Sequence, residues 1–256
     1  MATDYDQQDA ANRYRNIAPL PIRRHPERDG LLGAVGDVRG QRVIDVACGD
    51  GLYAREWRRA GAREVVGVDL SVDMIERGRC KESHEPLGIA YHVGDARNLR
   101  ELAEREDLGI FDVATAAWLL VYAETRGDLR AMCRSLASIV RPGGRFVHVA
   151  RAQSFSARHA ERYATYGLSC EVREKTTEYV RCRVVFEADR ESLRLENTDW
   201  SRQVLASALE EAEFTDVRFE PVPISTDAIA AMGEAYWADY VAHPILEVLS
   251  ATRADA

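Results

Sequence analysis

The chain has 256 residues, 46% hydrophobic, 8% aromatic and 30% charged, with a net charge of -8 at pH 7. A chain of this size buries roughly three quarters of its unfolded surface, so it folds without staples, and its composition excludes a disordered, collagen-like or low-complexity class. The acidic balance, with no basic run longer than Arg23-Arg24 or Arg58-Arg59, disfavours nucleic acid as a partner, because phosphate binding depends on clustered cations.

The first 40 residues read as a helix followed by a loop, with Pro19, Pro21 and Pro26 breaking any longer helix. The N-terminus is polar and has no apolar signal core, and no apolar run is long enough to span a bilayer, so a cytoplasmic location without membrane contact is expected. From residue 41 strands and helices alternate. Arg42 to Ala47 is a β-branched run, Leu52 to Ala60 a helix, Glu64 to Asp69 a second strand. Ser71 suits the N-cap of a helix reaching about Cys80. Ile89 to Val93, Ile110 to Ala116 and Arg145 to Ala150 supply three more strands, the last after the turn Pro142-Gly143-Gly144, with a helix over Asp128 to Val140. This rhythm predicts an α/β, doubly wound, mostly parallel sheet with its ligand crevice at the carboxyl ends of the strands.

After residue 150 the rhythm changes. Tyr179 to Phe186 and Leu193 to Asn197 suggest a β-hairpin, Ser201 to Ala212 a helix and Asp216 to Pro221 a strand. Such a tail would add an antiparallel edge to the sheet and cover the crevice. No internal repeat and no linker divides the chain, so one domain is expected over 1–256: an N-terminal lid (1–40), a nucleotide-binding core (41–150) and a completing, covering tail (151–256). The cysteines Cys48, Cys80, Cys133, Cys170 and Cys182 are odd in number and lack C-x-x-C spacing, which predicts reduced thiols and no zinc ribbon.

The segment Asp45-Val46-Ala47-Cys48-Gly49-Asp50-Gly51 lies between the first strand and a helix, where glycines let backbone amides approach a ligand. By itself it also satisfies a dinucleotide fingerprint through Gly49, Gly51 and Ala54. Two further acids add weight. Asp69 closes the second strand, 18 residues after Gly51, where a carboxylate can accept from both hydroxyls of a ribose, and Asp95 follows the third strand, placed to accept from an adenine amino group.

The motifs VIDVACGDG, GVDLSVDMIERG, VGDARNL, FDVATAAWLLVYA and IVRPGGRFV, in this order over residues 41–150, closely resemble the class I S-adenosylmethionine-dependent methyltransferases. The resemblance implies a seven-stranded Rossmann-like sheet, S-adenosylmethionine as cofactor and S-adenosylhomocysteine as product. It also implies that Gly49 and Gly51 approach the methionine part, Asp69 binds the ribose, Met74 packs on the adenine, and Asp95 with Ala96 meets the adenine edge. Asp45, Ala47, Leu70 and Ala116 complete the implied cofactor set. Ala47 departs from the glycine more common at its position. Outside the core, Tyr5, Tyr14, Leu20-Pro21-Ile22-Arg23, Ala131 to Arg134 and Gly233 to Trp237 resemble small-molecule enzymes of toxoflavin and teleocidin biosynthesis. That resemblance implies an N-terminal lid helix, with Tyr14 and Arg23 contacting the cofactor and Arg23 pairing with its carboxylate.

Two other classes stay open at this stage. A nicotinamide-dependent oxidoreductase would use the same glycine loop, although no Tyr is followed four residues later by Lys as in the short-chain dehydrogenases. A non-catalytic cofactor-binding protein is the other. After the fourth strand, Ala114 to Trp118 carries neither an Asn/Asp-Pro-Pro-Tyr sequence nor an acidic cluster for Mg²⁺, which points away from nucleic-acid amino groups and from metal-dependent catechol chemistry. Trp118 and Tyr122, with Tyr236 and Trp237 from the tail, are the substrate-contact candidates for a small hydrophobic or aromatic acceptor. Methyl transfer works chiefly by alignment, so no catalytic base is required. If one exists, Tyr14, His148 and His243 are candidates, with His25 and His159 as further histidines. Oligomeric state is unreadable, and a dimer is compatible.

Overall fold

The computed structural model describes residues 20–152, 163–188 and 191–255. In chain order a π turn (Arg23–Glu27) leads into α1 (Arg28–Val35), followed by β1 (Arg42–Val46), α2 (Leu52–Arg59), β2 (Glu64–Asp69), α3 (Val72–His84), β3 (Ile89–Val93), α4 (Leu99–Arg105), β4 (Phe111–Ala117), α5 (Arg126–Ile139) and β5 (Val140–Arg151). The tail adds β6 (Leu168–Lys175), β7 (Tyr179–Ala188), β8 (Glu191–Trp200), α6 (Arg202–Glu210), β9 (Phe214–Pro221), α7 (Thr226–Met232), α8 (Glu234–Ala242) and β10 (Leu246–Arg253).

Seven strands form one sheet in the order β3-β2-β1-β4-β5-β10-β9. The first five are parallel, and β10 runs antiparallel to both β5 and β9. Period-two alternation divides the core between the two faces. Val43, Val65 and Val113 pack with Trp57 on one side, while Ile44, Val66 and Ala114 pack with Leu136 on the other. Because both faces are covered, the strands read as continuous apolar runs.

Local signals account for several boundaries. The Ser71 side chain accepts from the Met74 amide, making it the N-cap of α3 as expected. Thr125 and Asp128 close a reciprocal capping box on α5, which starts two residues earlier than the sequence suggests. One expectation needs revision. Pro26 does not break the N-terminal helix: it is absorbed within the π turn, and helical backbone continues to Val35. The tail adds an antiparallel edge to the main sheet as expected, through β9 and β10. The expected hairpin β7-β8 also forms, and with β6 it makes a separate antiparallel sheet of order β6-β7-β8. The strands β6 and β10 and the helix α4 carry no expectation from the sequence.

The small sheet docks over the carboxyl ends of the parallel strands through two buried polar ties. Arg151 at the end of β5 donates from Nε and Nη2 to Asp199 on β8, each at 2.8 Å. The indole N–H of Trp200 donates to the Ala123 carbonyl at 3.1 Å.

Candidate functional site

The loop after β1 turns on three left-handed residues, Ala47 (φ 58°), Gly49 (φ 55°) and Gly51 (φ 85°). For an L residue with a Cβ this conformation costs ~1–2 kcal/mol, which is the physical reason glycine is common where this chain carries Ala47. The loop is pinned by the Cys48 amide donating to the Val68 carbonyl at 3.0 Å. At Gly51 a Cβ would fall 2.1 Å from the Tyr91 hydroxyl oxygen, so the glycine lets the loop settle on the Tyr91 ring as α2 begins.

Asp69 stands at the end of β2 with both oxygens oriented by backbone amides. Gly49 donates to Oδ2 at 2.8 Å and Ser71 to Oδ1 at 2.9 Å. Beneath it, Asp45 is 1% exposed. Its Oδ1 accepts from the Thr115 hydroxyl at 2.9 Å, and that hydroxyl accepts from the Trp57 indole at 3.0 Å. Burial pushes the Asp45 carboxyl up to about 7 against the pull of the Thr115 hydrogen bond, and the Asp69 charge pushes the same way as burial. Burial, with the carboxylates of Asp69, Asp45 and Asp50, also pushes the Cys48 thiol up, so that cysteine carries no activated nucleophile.

The N-terminal turn closes the site from the other side. Arg23 and Glu27 are 3% and 1% exposed, and Arg23 Nε donates to Glu27 Oε1 at 3.2 Å. The Tyr53 hydroxyl donates to the same oxygen at 2.7 Å, and the Trp118 indole donates to Oε2 at 2.9 Å. Glu27 was not singled out from the sequence. The Arg23-Glu27 spacing of four was a legible local signal, but Tyr53 and Trp118 are brought to it only by the packing of α2 and β4.

Arg23, Ala47, Gly49, Asp69, Met74, Trp118 and Tyr122 line one cleft. Phe186, Leu195 and Asn197 from the small sheet complete its lining, and its volume is about 60 Å³. Ala117 lines the cleft, whereas the Ala116 side chain is fully buried. Leu70 is 63% exposed and Ala96 is buried. The Asp95 carboxylate is clamped by Arg97, with Nη2 2.6 Å from Oδ2, and Arg97 reaches on to Asp128 at 3.1 Å. That guanidinium holds the Asp95 carboxyl below its ordinary range.

Other candidates lie elsewhere. Trp237 is fully buried, stacks on Tyr166 with centroids 5.4 Å apart, and donates to the Ala228 carbonyl at 2.9 Å. Tyr236 donates to the Thr165 carbonyl at 3.2 Å, so both residues fasten α8 to the segment before β6 and neither lines the cleft. His25 meets the Trp237 ring edge-on at 6.2 Å, and His243 caps the end of α8. His148 is buried in β5, its Nε2 accepts from the Leu120 amide at 3.3 Å, and burial lowers its pKa to about 3, so the ring is neutral. Tyr14 and His159 lie outside the described residues. Among the described residues no group of three or more metal-ligating side chains converges, and no helix is long and apolar enough to cross a membrane.

Residues 43–144 match the family described as a methyltransferase domain. The chain is 33% identical over 135 residues to a malonyl-[acyl-carrier protein] O-methyltransferase of Pseudescherichia vulneris, covering 53% of this chain and 47% of that protein. It thus spans about half the length of the curated relatives it matches. Among solved structures, the CcbJ methyltransferase of Streptomyces caelestis superposes with a TM-score of 0.64 at 19% identity, covering 99% of each chain. The magnesium protoporphyrin IX methyltransferase of Synechocystis PCC 6803, solved with bound S-adenosylhomocysteine, gives 0.62 at 16% identity, covering 98% and 97%.

Proposed function

With residues 43–144 a methyltransferase domain on a class I fold, we propose that this chain transfers a methyl group from S-adenosylmethionine to a small-molecule acceptor in specialised metabolism. The observation that carries this reading is the Asp69 carboxylate, oriented at the cleft by the amides of Gly49 and Ser71. A carboxylate fixed at a strand end suits the paired hydroxyls of a ribose, each charge-assisted bond being worth roughly 1.5–3 kcal/mol.

The rest of the donor set fits the same cofactor. Arg23, braced by Glu27, offers a cation for a carboxylate, the Gly49 loop allows close backbone approach, and Met74 offers a soft apolar surface for a purine. The cleft is well below the ~300 Å³ lower bound usual for ligand sites. Phe186, Leu195 and Asn197 of the small sheet form the side of the cleft that faces the strand ends, where a bound cofactor would meet them.

The bound cofactor supplies a sulfonium-activated methyl group and its own leaving group. The protein's contribution is alignment and exclusion of water, and orientation alone can lower a barrier by roughly 7–11 kcal/mol. Trp118 and Tyr122 border the place where an acceptor would meet the methyl group. Relatives named as O-methyltransferases support an oxygen nucleophile.

Calorimetry with S-adenosylhomocysteine, NAD and NADP in parallel tests the reading. Micromolar binding of S-adenosylhomocysteine alone is expected. Binding of a nicotinamide nucleotide in its place would overturn the proposal in favour of an oxidoreductase.

A further inference from the structure

A second cavity, of about 630 Å³, lies between the main sheet and the small sheet. Its floor is the end of β5 and the start of β10, and its roof is formed by β6, β7 and β8. Unlike the cleft, it falls within the ~300–1,000 Å³ range of small-molecule sites. The two spaces share a wall. The turn Leu120–Tyr122 gives Leu120 and Val121 to the cavity and Tyr122 to the cleft, while β8 gives Thr198 and Trp200 to the cavity and Leu195 and Asn197 to the cleft.

The lining has a definite chemistry. Tyr179, Trp200 and Phe219 supply aromatic surface, with the first two rings edge-to-face at 5.4 Å. His148 faces this space with Nε2 already accepting from the Leu120 amide, so in the neutral ring the proton sits on Nδ1, which is a donor. Both acids of the lining are matched by arginines, Asp199 by Arg151 at 2.8 Å and Glu247 by Arg202 at 3.0 Å. Lys175, one of only two lysines in the chain, borders the cavity and has no ion-pair partner among the described residues.

We propose that this cavity, and not the aromatic cluster of α8, receives the methyl acceptor, and that the acceptor is an aromatic acid whose ring lies against Tyr179 and Trp200 and whose acidic group meets Lys175. The inference rests on the methyl-transfer reading, and it places the acceptor across the Leu120–Tyr122 turn from the cofactor. An acid fits because Lys175 is the one lining charge without an ion-pair partner among the described residues, and a planar ring fits because Tyr179, Trp200 and Phe219 stand in a wall otherwise made of aliphatic side chains such as Leu120, Val180 and Leu249. The wall between the two spaces is thin, made by the Leu120–Tyr122 turn and by Asn197 and Thr198 of β8, and it is there that the reacting end of the acceptor would approach the cleft.

The test uses 2-naphthoate and its neutral isostere 2-naphthamide as probes, titrated into the full chain by calorimetry with and without saturating S-adenosylhomocysteine. The wild type is expected to bind naphthoate at least fivefold tighter than naphthamide. Lys175→Glu should abolish that preference. Val172→Trp, which fills the cavity from a strand position 40% exposed and so tolerant of a large side chain, should weaken both probes at least tenfold. Neither variant should change the affinity for S-adenosylhomocysteine. Failure of naphthoate to bind the wild type at millimolar concentration, a preference for naphthoate that is below fivefold or survives Lys175→Glu, or binding that Val172→Trp leaves intact, overturns the proposal. If naphthoate binds but S-adenosylhomocysteine does not, the methyl-transfer reading itself falls, and the cavity's role as an acceptor site falls with it.

Discussion

The indole N–H of Trp118 donates to Oε2 of Glu27 at 2.9 Å, joining the end of β4 to the N-terminal turn across 91 positions of sequence. Trp118 holds a left-handed backbone with φ 63°, a conformation that costs ~1–3 kcal/mol for a bulky residue and persists only where its surroundings fix it. Its amide donates to the Val149 carbonyl at 2.9 Å, so two bonds hold the strained residue at the cleft. Glu27 thus braces Arg23, Tyr53 and Trp118 together.

Removing that brace should affect stability and binding together. Glu27→Ala removes the buried carboxylate that accepts from Arg23, Tyr53 and Trp118, and losing one side of a buried ion pair costs about 3–5 kcal/mol. Urea denaturation should show a loss of that order, and calorimetry about a tenfold weaker affinity for S-adenosylhomocysteine. Glu27→Gln, which keeps a hydrogen-bonding oxygen, should lose less of both. Unchanged cofactor affinity in the alanine variant would separate Glu27 from the binding site.

Asp69→Ala should weaken S-adenosylhomocysteine by tenfold or more, since one lost charge-assisted bond of roughly 1.5–3 kcal/mol already amounts to that. The variant should remain folded by circular dichroism, because Asp69 sits at the partly exposed end of its strand. Wild-type affinity would remove Asp69 from the proposed cofactor site.

The buried Asp45 carboxyl should leave a mark on the pH dependence of stability. The unfolded chain releases this proton near pH 4, whereas the folded chain keeps it up to about 7. Between those values the native state binds more protons, so this group makes stability fall as pH rises, by at most about 1.4 kcal/mol per pH unit. In urea titrations Asp45→Asn, neutral throughout, should lack this decline between pH 4 and 7. Parallel curves for the two proteins would contradict the shifted carboxyl.

The glycine loop offers a pair of opposite outcomes. Ala47→Gly relieves a left-handed alanine and should raise the melting temperature by about 2 °C, the net of ~1–2 kcal/mol of relieved strain and a smaller gain of unfolded-chain entropy. Gly51→Ala puts a Cβ on a residue at φ 85° that would meet the Tyr91 hydroxyl, and should lower it by about 5 °C or more. Calorimetric scans of both variants check this. A destabilised Ala47→Gly would show that the methyl group packs usefully in the loop.

How much of this was legible in the sequence depended on how local the cause was. Ser71 as an N-cap and the apolar runs of β1 and β2 were readable because a capping hydroxyl or a strand buried on both faces leaves its mark within a few residues. β6 and β10 escaped notice because their burial is set by partners distant in the chain: β6 is largely exposed on its outer residues, and β10 is defined by insertion between β5 and β9. The cluster of Tyr236, Trp237 and Tyr240 suits a substrate cover and helix packing equally by its i, i+1, i+4 spacing, and in the fold the Tyr236 and Trp237 rings pack on Tyr166.

The alternating α/β order, the glycine loop and the acids Asp45, Asp69 and Asp95 at successive strand ends are legible along the chain, because each follows from the periodicity and turn chemistry of a short segment. That Glu27 gathers Arg23, Tyr53 and Trp118, that the hairpin forms its own sheet with β6, and that a large cavity opens beneath it emerge from long-range packing. Those features depend on which long-range surfaces meet, and a buried carboxylate or an empty volume is defined by its neighbours in space, whose distance along the chain carries no period to read.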